Sequence, residues 1–382
     1  MERIKATILK NETHRLGDYI REVNVRNREV KVTEPMGINI DKHFMPSVAN
    51  VIGTDLSTYK LVSKNQFACN LMHVGRDEKI PMAMQTNDNP IIVSPAYFVF
   101  EVTKTDELMP EYLMMWFCRK EFDRNAWFYT DADVRGGLDK EALLDMQLPV
   151  PSIERQREIV SEYETLTRRI RLNEQMIEKL EATAQALYRH TFVDNIDKQN
   201  AVIKDICEVQ SGFAFKSEWW QKEGIPVIKI NNIHNNTIYR DECDCVSEDK
   251  AKIAHRSIAR KGDIVMALTG NIGKTSIVPD EGYLVNQRVG LFKVNDVMRE
   301  FLYLVLCSTE VQNTILSIGG GSVQTNISPT DIESIQIILP HDKEMRSFHN
   351  QASPVFNTIH LKLQENIKLT ELQSLLLAKM GQ

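Results

Sequence analysis

The 382-residue chain carries 46 Lys and Arg against 52 Asp and Glu, a formal net charge of −6, and 42% of its residues are hydrophobic. This balance excludes an intrinsically disordered chain and a broadly basic nucleic-acid coat, and it leaves apolar material for two cores. Any grip on phosphate must then be local, because neutralising phosphates takes clustered Lys and Arg.

The first residues, MERIKATILKNETHRLGDYI, contain no continuous apolar segment of signal-peptide type, and no run of about 18 uncharged apolar residues occurs anywhere. The expectation is a cytoplasmic protein without a membrane span. Six cysteines (69, 118, 207, 243, 245 and 307) are scattered in a chain too large to need disulfide staples. Cys118 and Cys307 lie on apolar helical stretches and are expected to be buried.

Residues 1–150 read as a mixed segment. NPIIVSPAYFVFEV (89–102) is rich in β-branched and aromatic residues and reads as strand. An amphipathic helix is predicted from Pro110 to about Asn125. The donor-rich loops here are NLMHVGRDEK (70–79), SPAY (94–97) and DADVRGG (131–137), with Asn70, His73, Arg76, Lys79 and Arg135 as candidate contact residues.

After Pro149-Val150-Pro151 a long helix is predicted from 152 to about 191, capped by Ser152 and with Glu154 in its first turn. Apolar residues recur at Ile159, Tyr163, Leu166, Ile170, Ile177, Leu180, Ala184 and Leu187, alternating four and three, which is a coiled-coil seam. Asn173 interrupts that seam, and a polar seam residue can fix register. Such a helix would be about 60 Å long at ~1.5 Å per residue.

Residues 196–340 repeat the mixed plan. EGYLVNQRVGLFKV (281–294) is the strand mate of 89–102. The loops are GFAFKSEWW (212–220), KINNIHNN (229–236), TGNIGKT (269–275), NQR (286–288) and SVQTN (322–326). Asn, Gln, Arg and Lys read base edges, while Lys, Ser, Thr and backbone amides hold phosphates. The candidates are therefore Lys216, Lys229, Asn231, Asn232, Asn271, Lys274, Thr275, Asn286, Gln287, Arg288, Gln324 and Asn326, with Lys274 and Arg288 first. A second long helix is predicted from about His341 to Met380, with an apolar stripe at Ile359, Leu363, Ile367, Leu372 and Leu376. Lys362 and Asn366 fall where the first helix's seam would continue.

The two halves share matching stretches. PEYLMMWFCRKEF (110–122) aligns with REFLYLVLCSTEV (299–311), and DMQLPVP (145–151) with SIQIILP (334–340), both at an offset of 189. The expected fold is α+β: a mixed α/β domain present twice, each copy followed by a long helix, the helices pairing as an antiparallel coiled coil about a pseudo-twofold axis. Motifs that would carry chemistry fail on spacing. LTGNIGKTS (268–276) has Leu268 where a P-loop needs glycine, NDNP (87–90) continues Ile91-Ile92, and Cys243-Asp244-Cys245 has no second ligand pair. No cluster reads as catalytic or metal-binding.

IPVIKINNI (225–233), KGDIVMALTGNIGKTSIVP (261–279), VNQRVGLFKV (285–294), QLPVPSIERQREIV (147–160) and VSPAYFVFEV (93–102) resemble the specificity subunit of type I restriction-modification systems. IILPHDKEMRSFHNQ (337–351) departs from the pattern, lacking Pro-x-Pro and Gln-x-x-Ile. The resemblance implies target recognition domains at 1–150 and 196–340 and helical spacers at 151–195 and 341–382. It implies a non-catalytic adaptor that reads a bipartite target in double-stranded DNA and docks methyltransferase and motor-nuclease subunits. S-adenosylmethionine, ATP and Mg would belong to those partners, and this chain would hold no cofactor. The rival readings are a recognition subunit of another methylation or restriction class, a helical scaffold that binds no DNA, and a nucleotide-dependent enzyme resting only on the 270–275 loop.

Overall fold

The structure is a computed structural model that describes residues 13–47, 53–72, 74–130, 136–193, 199–234, 237–319 and 326–380. In chain order the first strands and helices are β1 (Thr13–Arg15), β2 (Ile20–Glu22), β3 (Pro35–Ile38), β4 (Phe44–Pro46), β5 (Lys60–Val62), β6 (Gln66–Cys69), α1 (Val74–Asp77), β7 (Met82–Met84), β8 (Ile91–Val93), β9 (Phe98–Val102), α2 (Pro110–Phe117), α3 (Lys120–Phe128), α4 (Lys140–Leu144), β10 (Gln147–Pro149) and α5 (Ile153–Tyr188). There follow β11 (Gln199–Val202), β12 (Cys207–Ser211), β13 (Ile225–Ile228), β14 (Cys245–Val246), α6 (Glu248–Ile253), β15 (Ile258–Ala259), β16 (Ile264–Ala267), β17 (Thr275–Ile277), β18 (Tyr283–Val285), β19 (Val289–Val294), α7 (Arg299–Leu306), α8 (Thr309–Gly319), α9 (Pro329–Glu333), β20 (Gln336–Leu339) and α10 (Asp342–Lys379). The chain divides into two compact units: residues 1–170 with 368–382, and residues 171–367.

In unit 1 the strand orders are β2-β9-β6-β7 and β4-β3-β8-β5, with β1 paired to β10. In unit 2 they are β12-β19-β16-β17 and β14-β13-β18-β15, with β11 paired to β20. Each mixed sheet has one parallel pair, β3 with β8 and β13 with β18. The central strands are apolar on both faces because both faces are covered. On β9, Phe98, Phe100 and Val102 join a core with the helices, whereas Val99 joins Val62, Ala68 and Val93. On β16, Ile264 and Met266 face the helical core, and Val265 and Ala267 face a core built with Val285 and Val289.

The helix expected over 110–125 is two helices, α2 and α3, broken at Cys118 and Arg119. Unit 2 has the same break between α7 and α8. Packing explains it. Phe117 and Phe122 meet in one core, their ring centroids 4.9 Å apart and their planes tilted by 59°. On a straight helix residues five apart point about 140° away from each other and could not meet. Cys118 and Cys307 cap these helices, so they leave the core: Cys118 is half-buried and Cys307 exposed, contrary to expectation.

α5 begins as expected, with the Ser152 hydroxyl accepting from Arg155 N at 3.3 Å. Its faces divide by heptad. Ile159, Tyr163, Leu166, Ile170, Ile177, Leu180 and Leu187 are half-buried and Asn173 is 2% exposed, while the residues between are mostly exposed. Within unit 1, Val160, Ile159 and Tyr163 share a core with Leu377 and Met380, and Gln373 donates to Thr167 at 2.7 Å. Within unit 2, Asn173 donates to Asn366 Oδ1 at 2.8 Å, and Ala184 shares a core with Phe348 and Ala352. A π-helical turn, Arg189–Val193, follows α5 and places Phe192 against Phe301 and Phe348. On α10, Ile359 is buried and Leu363, Ile367 and Leu376 are half-buried. Leu372 is exposed, contrary to the expected stripe, because the inward face turns through Gln373, Leu377 and Met380 instead.

Candidate nucleic-acid interface

In unit 2 the polar loops singled out in the sequence converge around the 286–288 turn. Asn286 N donates to Ile228 O at 2.9 Å, and Gln287 N to Phe213 O at 3.0 Å. Leu268 N donates to Arg288 O at 3.0 Å, Ile327 N to Leu268 O at 3.0 Å, and Thr269 bridges to Asn326. Backbone hydrogen bonds therefore stitch the segments around 213, 229–232, 268–274, 286–288 and 326–327 into one surface. Three glycines make this possible. A Cβ at Gly212 would be driven into the Val285 carbonyl. Gly270 and Gly273 take φ of +71° and +83°, the left-handed region that favours glycine, to turn the chain between β16 and β17. The apparent P-loop is thus a hairpin turn, pinned by Gln312 Nε2 donating to Gly273 O at 3.0 Å.

The candidates in this cluster separate by burial. Asn231, Asn271, Gln287, Arg288 and Asn326 are exposed, so their donors and acceptors are available to a ligand. Asn286 is half-buried and accepts from Arg288 N at 3.4 Å, which shapes the turn. Asn232 is buried, accepting from Lys229 N and donating to Glu242 O, both at 2.8 Å. Thr275 is buried and donates to Gly273 O at 2.8 Å. Lys274 lines a cleft of about 290 Å³ with Glu181, Gln185, Cys307 and Gln312. Lys229 pairs with Asp244 at 2.5 Å over the Trp220 ring, whereas Lys216 is exposed beside Trp219.

Unit 1 builds the equivalent loops differently. Asn70 is committed to a turn, its Oδ1 accepting from Met72 N at 3.0 Å, and its side chain is hydrogen-bonded to the Tyr97 phenol. Burial pushes that phenol's pKa up. Lys79 is half-buried and lies 3.8 Å from Asp41. His73, Arg135, Gln324 and the side chain of Arg76 lie outside the described residues. Two lysines that the sequence did not single out do the stitching. Lys42 Nζ donates to Ile80 O at 2.9 Å and to Asp123 Oδ1 at 2.7 Å, and Lys60 Nζ donates to Tyr97 O at 2.7 Å. Gln156 was missed as well. It is fully buried, accepting from Met109 N and donating to Glu107 O and Pro151 O, which anchors the start of α5 to the start of α2. Carrying the heptad back one step from Ile159 lands on Gln156 and would have found it.

Such a surface can hydrogen-bond base edges with amides and a guanidinium. Among the described residues no group of three or more His, Cys, Asp or Glu could hold a metal ion, and no single helix is long and apolar enough to cross a membrane.

Comparison with known proteins points the same way. Residues 195–371 match the type I restriction modification DNA specificity domain. Over 252 residues the chain is 24% identical to the type I restriction enzyme MjaVIII specificity subunit of Methanocaldococcus jannaschii, covering 60% of this chain and 59% of that protein. It is 23% identical over 159 residues to the HindI specificity subunit of Haemophilus influenzae, covering 41% and 35%. The match thus spans less than two thirds of either relative. The fold is similar to the crystal structure of the type I restriction-modification S subunit from M. genitalium, with a TM-score of 0.61 and 11% identity over 97% of this chain and 96% of that one. Residues 195–371 are thus similar to the type I restriction modification DNA specificity domain, and the fold over nearly the whole chain is similar to that of a solved S subunit.

Proposed function

We propose that this chain is the DNA-recognition subunit of a type I restriction-modification complex, acting in the cytoplasm. The observation that carries the reading is the exposed set Asn231, Asn271, Gln287, Arg288 and Asn326, gathered on one backbone-stitched surface inside the matched stretch 195–371. The strand orders of unit 1 mirror those of unit 2, which supports a repeated domain and hence a bipartite target. In this reading 1–150 and 196–340 are the recognition domains, and 151–195 and 341–382 are helical spacers that pair as an antiparallel coiled coil. The Thr167–Gln373 and Asn173–Asn366 hydrogen bonds support that pairing. The chain supplies recognition and no catalysis. Methyltransferase and motor-nuclease subunits would dock on it and bring S-adenosylmethionine, ATP and Mg.

The test is modified-base sequencing of DNA from cells expressing this chain with its cognate methyltransferase. The expected result is a methylated motif of two defined parts separated by an undefined spacer. A continuous motif, or no motif, overturns the two-headed reading.

A further inference from the structure

Unit 2 contains a second cationic feature, set beside the amide-rich turn. Phe213, whose carbonyl accepts from Gln287 N, stacks on Trp219 with ring centroids 6.0 Å apart and planes 12° apart. Trp219 and Trp220 pack with Phe213, Phe215 and Ile225 over a small core of Val227, Val246, Ala254 and Leu284, so both indoles are held on a rigid base. Three ammonium groups lie over these rings. Lys216 Nζ is 5.9 Å and Lys250 Nζ 4.9 Å from the Trp219 centroid, and Lys229 Nζ is 3.6 Å from that of Trp220.

The three are not equivalent. Lys229 is neutralised by Asp244 at 2.5 Å. Asp249, the acid next to Lys250 on α6, is taken by Lys252 at 3.0 Å. Among the described residues neither Lys216 nor Lys250 has a carboxylate at ion-pair distance, so the indole alone positions them. An aromatic face holds an ammonium without cancelling its charge and leaves N–H donors pointing outward. Two preorganised, uncompensated charges on a chain of net charge −6 make a site for an anion.

We infer that Lys216 and Lys250, held over Trp219, form a phosphate clamp that seats the DNA backbone beside the 286–288 turn. The inference rests on the recognition reading above and divides its labour: the clamp positions the duplex, and the exposed amides and Arg288 read it. Phosphate is favoured over an acidic protein surface because Phe213 links the clamp to the reading turn both by a hydrogen bond and by stacking. A duplex whose bases face that turn must carry its backbone alongside.

The experiment measures affinity of the full chain, assembled with its methyltransferase, for a duplex carrying the methylated motif and for an unrelated duplex. Salt is varied from about 0.05 to 0.2 M, because each phosphate contact contributes roughly 0.9 to the slope of log K against log salt. Lys216→Ala and Lys250→Ala should each lower that slope by about 0.9 and the double variant by about twice as much, with discrimination between the duplexes unchanged. Lys250→Arg should keep the slope, and Lys229→Ala should leave it near the parent value. A parent slope in the double variant, or lost discrimination at parent slope, overturns the clamp while the recognition reading stands. Failure of the unsubstituted assembly to prefer the motif overturns both.

Discussion

Lys42 is 7% exposed, with φ of +65°, and its ammonium is paired with Asp123 while also donating to Ile80 O. Removing one partner strands a buried charge, so Lys42→Met should cost about 3–5 kcal/mol in denaturant unfolding, and Lys42→Met with Asp123→Leu should recover much of it. Arg288 is the opposite case, exposed on the turn that we propose reads base edges. Arg288→Ala should cost about 1–3 kcal/mol of discrimination, read as altered base preference at one motif position with unfolding unchanged. At this scale the sequence was only half legible. Asn231 and Asn232 are adjacent amides in one loop, yet one faces solvent and the other is consumed by Lys229 N and Glu242 O. Base reading and loop stapling call for the same donors and acceptors, and only burial tells them apart. Lys42 was illegible for a related reason: its partner Asp123 is 81 residues away.

Among the elements, the heptad of α5 could be read directly because its period is local and repeats many times. The break between α2 and α3 could not, since it depends on which side of a distant core Phe117 and Phe122 must reach. The second helix was less legible because its inward face carries Asn366 and Gln373 where apolar residues were sought. Asn173 and Asn366 satisfy each other inside that seam. Asn173→Leu leaves the Asn366 amide without this partner and should destabilise unit 2 by about 1–3 kcal/mol. Asn173→Leu with Asn366→Leu should be at least as stable as the parent, because two apolar seam residues replace a buried and a half-buried amide. Thermal unfolding of the two variants checks both outcomes. A double variant less stable than the single one would show that the amides contribute more than mutual satisfaction.

For the molecule as a whole, unit 2 is one continuous stretch, 171–367, whereas unit 1 is assembled from 13–170 and 368–380 among the described residues. Met380 is 4% exposed in the core that contains Val160, with Leu377 packed against it. A chain ended after Ile367 should keep unit 2 resistant to limited proteolysis while unit 1 becomes cleavable, as mass spectrometry of the fragments would show. This asymmetry also sets an order of assembly during synthesis. A ribosome must add 210 residues after Ile170 before Met380 exists. At about 5–20 residues per second that is roughly 10–40 s in which unit 1 lacks part of its core. The half made first is completed last, so an incomplete translation product would carry an open first unit. A chain with unit 1 fully packed has been translated at least as far as Met380.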